Sequence, residues 1–219
     1  MCSEKPGQLQ HRVGGEIIKL GVNNYRSFPW RFTYDPYLVA VSEILLRRTK
    51  AVQVGMVYNQ IIERYPSVQK MVNIRDDDVM LSSLGLHSRA RILRKFAGQI
   101  VDIYDGIIPE ERKKLLAITG LGDYSTSAIR VFAFRHIDPL IDANTVRIIS
   151  RINGIPFSDS LRRSKIIHKK YEEIAKLYDP VVFGYSILDF GALICGTVPV
   201  CGICSLNSVC QYAINHTNK

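Results

Sequence analysis

The chain has 219 residues, with 29 Lys+Arg against 20 Asp+Glu, for a net charge of +9. That length suits one large domain or two small lobes, and 47% hydrophobic with 22% charged residues is the makeup of a globular chain with a real core. A pI near 9.4 points toward a polyanionic partner, nucleic acid first. The longest apolar run, Tyr178 to Cys195, is broken by Asp179, Pro180 and Asp189 and excludes a bilayer crossing. The start, Met1-Cys-Ser-Glu-Lys-Pro-Gly-Gln, lacks the apolar core of a secretory signal, so a cytoplasmic protein with no membrane partner is expected.

In chain order, a helix is predicted over Val13–Val22, followed by a loop ending at Phe28-Pro-Trp-Arg31. From Asp35-Pro36 onward the pattern reads as short amphipathic helices: Tyr37–Arg48, Ala51–Tyr65, Asp77–Ser83, Ser88–Tyr104, Pro109–Ile118 and Ser125–Phe134. Within the fourth, Ile92, Phe96, Ile100 and Ile103 recur at helical spacing. Helices over Asn144–Ile152 and Ser158–Leu177 and a cysteine-rich tail complete the chain. Alternating β-branched runs are scarce, so the expected fold class is all-α.

Four of the five cysteines crowd into that tail as Cys195-x5-Cys201-x2-Cys204-x5-Cys210. In a reducing compartment such a set argues for metal before disulfides. Zinc and a [4Fe–4S] cluster both accept four thiolates. The nested gaps lack the long central loop of paired zinc knuckles, which favours the cluster. Cys2 stands apart.

Midway lies Leu115-Leu-Ala-Ile-Thr-Gly-Leu-Gly-Asp-Tyr-Ser-Thr-Ser-Ala-Ile129. Gly120 and Gly122 let the backbone turn sharply between two helices, and the second helix then presents its N-terminus to a phosphate. Asp142, in Leu140-Ile-Asp-Ala-Asn-Thr-Val-Arg147, precedes the next helix; its plain reading is a cap or first-turn acid.

Together, the hairpin, the following acid and the four-cysteine tail resemble the endonuclease III superfamily of helix-hairpin-helix DNA glycosylases. The resemblance runs from Phe28-Pro-Trp-Arg31 through Ser42-Glu-Ile-Leu-Leu-Arg-Arg-Thr49 and Leu84-Gly-Leu-His-Ser-Arg-Ala-Arg91 to Cys210. Within it, the Glu43–Thr49 string and Tyr124 are most similar to the archaeal thymine/uracil mismatch enzymes, with the adenine mismatch enzymes next. The first cysteine gap is one residue shorter than that family's usual six, which reshapes the loop between Cys195 and Cys201.

The resemblance implies two helical lobes: a six-helix barrel over residues 30–136, with the hairpin at about 111–134, and a second lobe of 1–29 plus 137–219. A [4Fe–4S] loop spans 195–210, and the hairpin lies at the cleft. It implies a monomer acting on mismatched double-stranded DNA in base-excision repair, with Cys195, Cys201, Cys204 and Cys210 as cluster ligands. Asp142 becomes the essential carboxylate, stabilising positive charge on the sugar as the glycosidic bond breaks. Lyase members carry a lysine where this chain has Tyr124, and a phenol cannot form a Schiff base, so a monofunctional glycosylase is implied. Glu43 is placed in the base pocket; its plain alternative is a glutamate exposed on the helix. Arg47 and Arg48 would fill the hole left by the extruded nucleotide and contact the opposite guanine, unless they only solvate a helix end. Leu86 would be the apolar wedge, or else a core leucine. Ala51 and Tyr185 fall near the pocket, and Tyr185 stands where the adenine enzymes carry glutamine. Thymine or uracil opposite guanine is therefore the expected substrate. Adenine opposite guanine or 8-oxoguanine is the alternative, and a non-catalytic DNA-binding or redox-sensing module the alternative of another class.

Overall fold

The computed structural model describes residues 7–78, 81 and 87–217, and among these it is helical with no β-strand. No helix is long and apolar enough to cross a membrane among the described residues. The chain divides into two compact units, one of residues 27–134 and one of 1–26 with 135–219.

The unit of 27–134 is built around α2 (Pro36–Leu46). Asp35 starts it by accepting the Tyr37 N–H at 2.8 Å, with Pro36 at the first helical position. Eight of its eleven residues are buried, so α2 is a core helix wrapped by its neighbours rather than a surface one. It packs on α3 (Ala51–Arg64), α5 (His87–Tyr104) and α7 (Asp123–Phe132). The short α4 (Val68–Met71) rests on α5. The buried stripe of α5 is Ala90, Leu93, Phe96, Ala97 and Ile100, whereas Ile103 is 61% exposed and Ile92 only half-buried. Phe96 and Ile100 are buried as expected, while Leu93 and Ala97 take the core side in place of Ile92 and Ile103. Before the hairpin, α6 covers only Arg112–Leu116, not Pro109–Ile118. Glu111 is extended ahead of it, and Ala117–Ile118 already belong to the turn. The helix expected over 77–83 falls largely outside the described residues, as does Leu86.

The second unit holds α1 (Gln8–Asn23), α8 (Ala143–Ile152), α9 (Lys165–Ala175), α10 (Pro180–Leu193) and α11 (Gln211–Thr217). α10 is a correction to the sequence reading, which placed no helix there. Its sequence is apolar on nearly every side, because it is buried on nearly every side and shows no amphipathic stripe to read. Asp179 caps it, accepting from the Val181 and Val182 N–H groups at 3.0 Å each. Asp189, fully buried in its middle, is held by the Arg26 guanidinium, which lets a charge persist inside an apolar helix. α1 packs on α10, and Gly21 meets Ser186 there; a Cβ at Gly21 would come within 2.5 Å of the Ser186 Cα. The helix expected over Ser158–Leu177 is two elements: a 3-10 turn at Asp159–Arg163, then α9 after an extended Ser164.

Candidate functional site

Asp142 is the N-cap of α8, its backbone extended at φ −105° and ψ −175°. One carboxylate oxygen accepts the Thr145 N–H at 2.7 Å and the other accepts the Asn144 side-chain amide at 3.1 Å. Both oxygens are thereby oriented and the group is half-buried. The capping role is thus observed, and it leaves the carboxylate fixed at the head of a helix. Asn144 in turn accepts from Arg147 at 2.7 Å, and Arg147 donates to the Gly191 carbonyl at 2.9 Å and the Cys195 carbonyl at 2.8 Å. Burial draws the Arg147 guanidinium below its ordinary range, with Cys195 and Asp142 opposing that shift. Sequence reasoning missed Asn144 and Arg147. The signal was Arg147 with Arg151, four apart on one face of the helix Asp142 caps.

The four cysteine side chains line one cavity, walled by apolar groups that include Phe190, Ile194, Val200 and Leu206. Arg151 stands over it, donating to Cys195 Sγ at 3.4 Å and to the Gly196 carbonyl at 2.6 Å, while stacking on Tyr212. Burial pushes the Cys195 thiol up, with Arg151 and Arg147 pulling it back; burial also pushes up Cys204. The enclosed space is about 20 Å³, the room of one water molecule. Among the described residues no group of three or more such side chains stands at metal-holding distances. The four-thiol donor set and its apolar lining fit a thiolate-ligated cluster.

Tyr185, expected near the base pocket, is buried in α10 and meets Tyr25 edge-on at 6.4 Å. Asp142, Tyr185 and the cysteines belong to one unit; the remaining described candidates belong to the other.

In the unit of 27–134, Glu43 lies in α2 and is 7% exposed, so the reading of an outward-facing helix glutamate does not hold. Arg47 and Arg48 follow α2 and are exposed, and Ala51 opens α3, half-buried. Gly120 has φ +94°, and a Cβ there would lie 2.6 Å from Ile92 Cγ2, so this turn position requires glycine twice over. Its carbonyl accepts from Arg47 at 3.3 Å, and Gln99 Oε1 holds the neighbouring Thr119 N–H at 2.6 Å. Gly122 is exposed, and nothing in the chain lies within 4 Å of where its Cβ would be. Tyr124, the second residue of α7, is half-buried.

A thymine-DNA glycosylase of Aeropyrum pernix is 34% identical over 87% of this chain and 88% of its own. An adenine DNA glycosylase of Buchnera aphidicola is 29% identical over 87% of this chain, which spans 55% of that relative. The solved structure of a thermostable thymine-DNA glycosylase superposes with a TM-score of 0.85 at 29% identity, covering 94% of this chain and 98% of that one. Catalytic relatives set aside the reading of a non-catalytic module. Residues 41–176, from within α2 to the end of α9, match the model of the HhH-GPD superfamily base excision DNA repair proteins; the chain belongs to that family and is a DNA glycosylase.

Proposed function

We propose that this glycosylase removes thymine or uracil mispaired with guanine in duplex DNA and leaves the strand uncut. The observation that carries the chemistry is Asp142, a carboxylate whose two oxygens are each fixed by a donor at the head of α8. The flipped nucleotide loses its base as the C1′–N1 bond breaks, the electron pair leaving on the base and positive charge gathering on the sugar. Asp142 stabilises that charge; water adds to C1′ and gives its proton to the carboxylate. The base assignment is supported by the 34% identical thymine glycosylase and by two exposed guanidiniums, Arg47 and Arg48, whose donor pairs suit guanine acceptors. Glu43 is assigned to the base pocket with Ala51, and Gly120 and Gly122 to the approach of a phosphate. Leu86, outside the described residues, is assigned as the wedge. Tyr124 supplies no amine, so no Schiff base forms there.

Cys195, Cys201, Cys204 and Cys210 would hold the [4Fe–4S] cluster. When bound it supplies four iron–thiolate bonds that tie 195–210 together. The 29% identical adenine glycosylase keeps adenine release as the competing reading. Single-turnover incubation with G·T, G·U, A·G and A·8-oxoguanine duplexes, each scored with and without alkali, separates the two. Base release from G·T and G·U, with breakage only after alkali, is expected. Release of adenine, or cutting without alkali, overturns the proposal.

A further inference from the structure

The corner after α2 is a tight turn. The Thr49 N–H donates to the Leu46 carbonyl at 3.2 Å, Arg47 has φ −60° and ψ 112°, and Arg48 has φ +56°. These are the features of a type II turn, whose third residue is by preference glycine. Past the end of α2 the Arg47 carbonyl has no helical partner. Arg89, at the start of α5, supplies one: its Nη2 donates to that carbonyl and its Nη1 to Ser88 Oγ at 3.2 Å. Its Nε is buried without a partner. Arg47 meanwhile reaches the Gly120 carbonyl. Three guanidiniums thus gather at one corner, and among the described residues none of them forms an ion pair. Burial, then the charges of Arg47 and Arg48, draw Arg89 below its ordinary range.

We propose that Arg89 is a positioning residue for reading the base opposite the excised one: it clasps the Arg47 carbonyl and so fixes the corner that projects Arg47 and Arg48. Among the described residues no carboxylate neutralises these three cations, and the DNA itself supplies the counter-charge. A guanidinium suits the task because its planar fork donates in two fixed directions, to Arg47 and Ser88 together. The inference rests on the guanine-opposite specificity proposed above.

The test measures binding, not base release. Duplexes carrying a tetrahydrofuran abasic site opposite guanine or opposite adenine are titrated with the wild type, Arg89→Ala, Arg89→Lys and Arg91→Ala. Arg91 is an exposed neighbour that reaches Asp76 at 4.0 Å, so its loss removes the same charge from the same helix. The wild type is expected to prefer the guanine duplex, and Arg89→Ala to lower that preference at least tenfold with helicity intact. Arg89→Lys, which keeps one donor for the carbonyl, recovers part of it, and Arg91→Ala leaves it unchanged. An unchanged preference in a folded Arg89→Ala protein, or an equal loss in Arg91→Ala, overturns the positioning role alone. A wild type that does not prefer guanine overturns both this role and the specificity it rests on. Should Arg89→Ala not fold, the preference of Arg89→Lys decides, a wild-type value overturning the need for the fork.

Discussion

Asp142 caps α8, and a cap needs no catalytic explanation, so the two roles must be separated by experiment. Asparagine and alanine at this position do so. Asparagine is nearly isosteric and caps as well as aspartate, its side-chain oxygen still able to accept the Thr145 N–H now held at 2.7 Å. Its cost is the lost charge on the contact with Asn144, under about 1 kcal/mol for one half-buried hydrogen bond. Alanine removes both contacts and costs about 1–2 kcal/mol, which in a chain of this size lowers Tm by roughly 2–8 °C. A pure cap therefore ranks the variants wild type, asparagine, alanine, with rates tracking stability. A carboxylate facing a developing sugar cation ranks them otherwise. Both variants lose base release at least about 100-fold, the scale seen when one stabilising group is removed from a transition state. Single-turnover rates and thermal melts on the same preparations decide. An Asp142→Asn protein that keeps near-wild-type rates would refute the catalytic assignment.

Arg48→Gly should leave Tm unchanged or raise it by up to about 6 °C, since relief of a left-handed side chain, about 1–2 kcal/mol, matches or exceeds the entropic cost of glycine, about 0.5–1 kcal/mol; mismatch binding should weaken in the same protein, and a lower Tm refutes the turn assignment. Gly191→Ala places a Cβ 2.7 Å from Asn144 Cβ and should cost about 1–3 kcal/mol, slowing base release as the Asn144–Asp142 contact shifts; rates and melts of an equally destabilised variant remote from α8 provide the comparison. Protein purified anaerobically should contain iron, less of it in Cys204→Ser, and one zinc without iron would exclude the cluster. Tyr124→Lys should gain strand nicking and borohydride trapping on DNA, through an amine the wild type lacks; strong trapping by the wild type would mean that another amine reaches the sugar.

What the sequence made legible follows physical rules visible over a few residues. Gly120 announced a turn because only glycine takes φ +94° beside Ile92, and the hairpin was read from Gly120 and Gly122 standing between two helical stretches. The cysteines were found because their spacing is local, and the structure brings all four to one cavity. α10 escaped because a helix buried on nearly every face has no clear period to detect, and Asp179, Pro180 and Asp189 read as interruptions. Two of these start the helix, and the third pairs with Arg26, 163 residues away. The contacts of Arg89 with Arg47 and of Arg147 with Cys195 escaped for the same reason: they join residues 42 and 48 positions apart. The exposed-glutamate reading of Glu43 failed because an amphipathic helix was assumed where α2 is a core helix.

Among the described residues three besides glycine have φ in the left-handed region: Arg48, Asp105 and Arg135. Asp105 stands just past α5, where a short polar side chain tolerates that conformation, and Gly106 follows it. Arg135 is answered within the chain, its guanidinium paired with Asp179, the residue that caps α10. Arg48 is not: it makes no hydrogen bond or ion pair among the described residues, and its side chain is exposed. A long cation held in a strained turn conformation, where glycine would be easier, gains no partner from the described residues around it. Strain of that kind persists where a site outside the chain uses the side chain. The DNA contact proposed for Arg48 would supply that use, the phosphates of the duplex matching an exposed guanidinium that has no partner among the described residues.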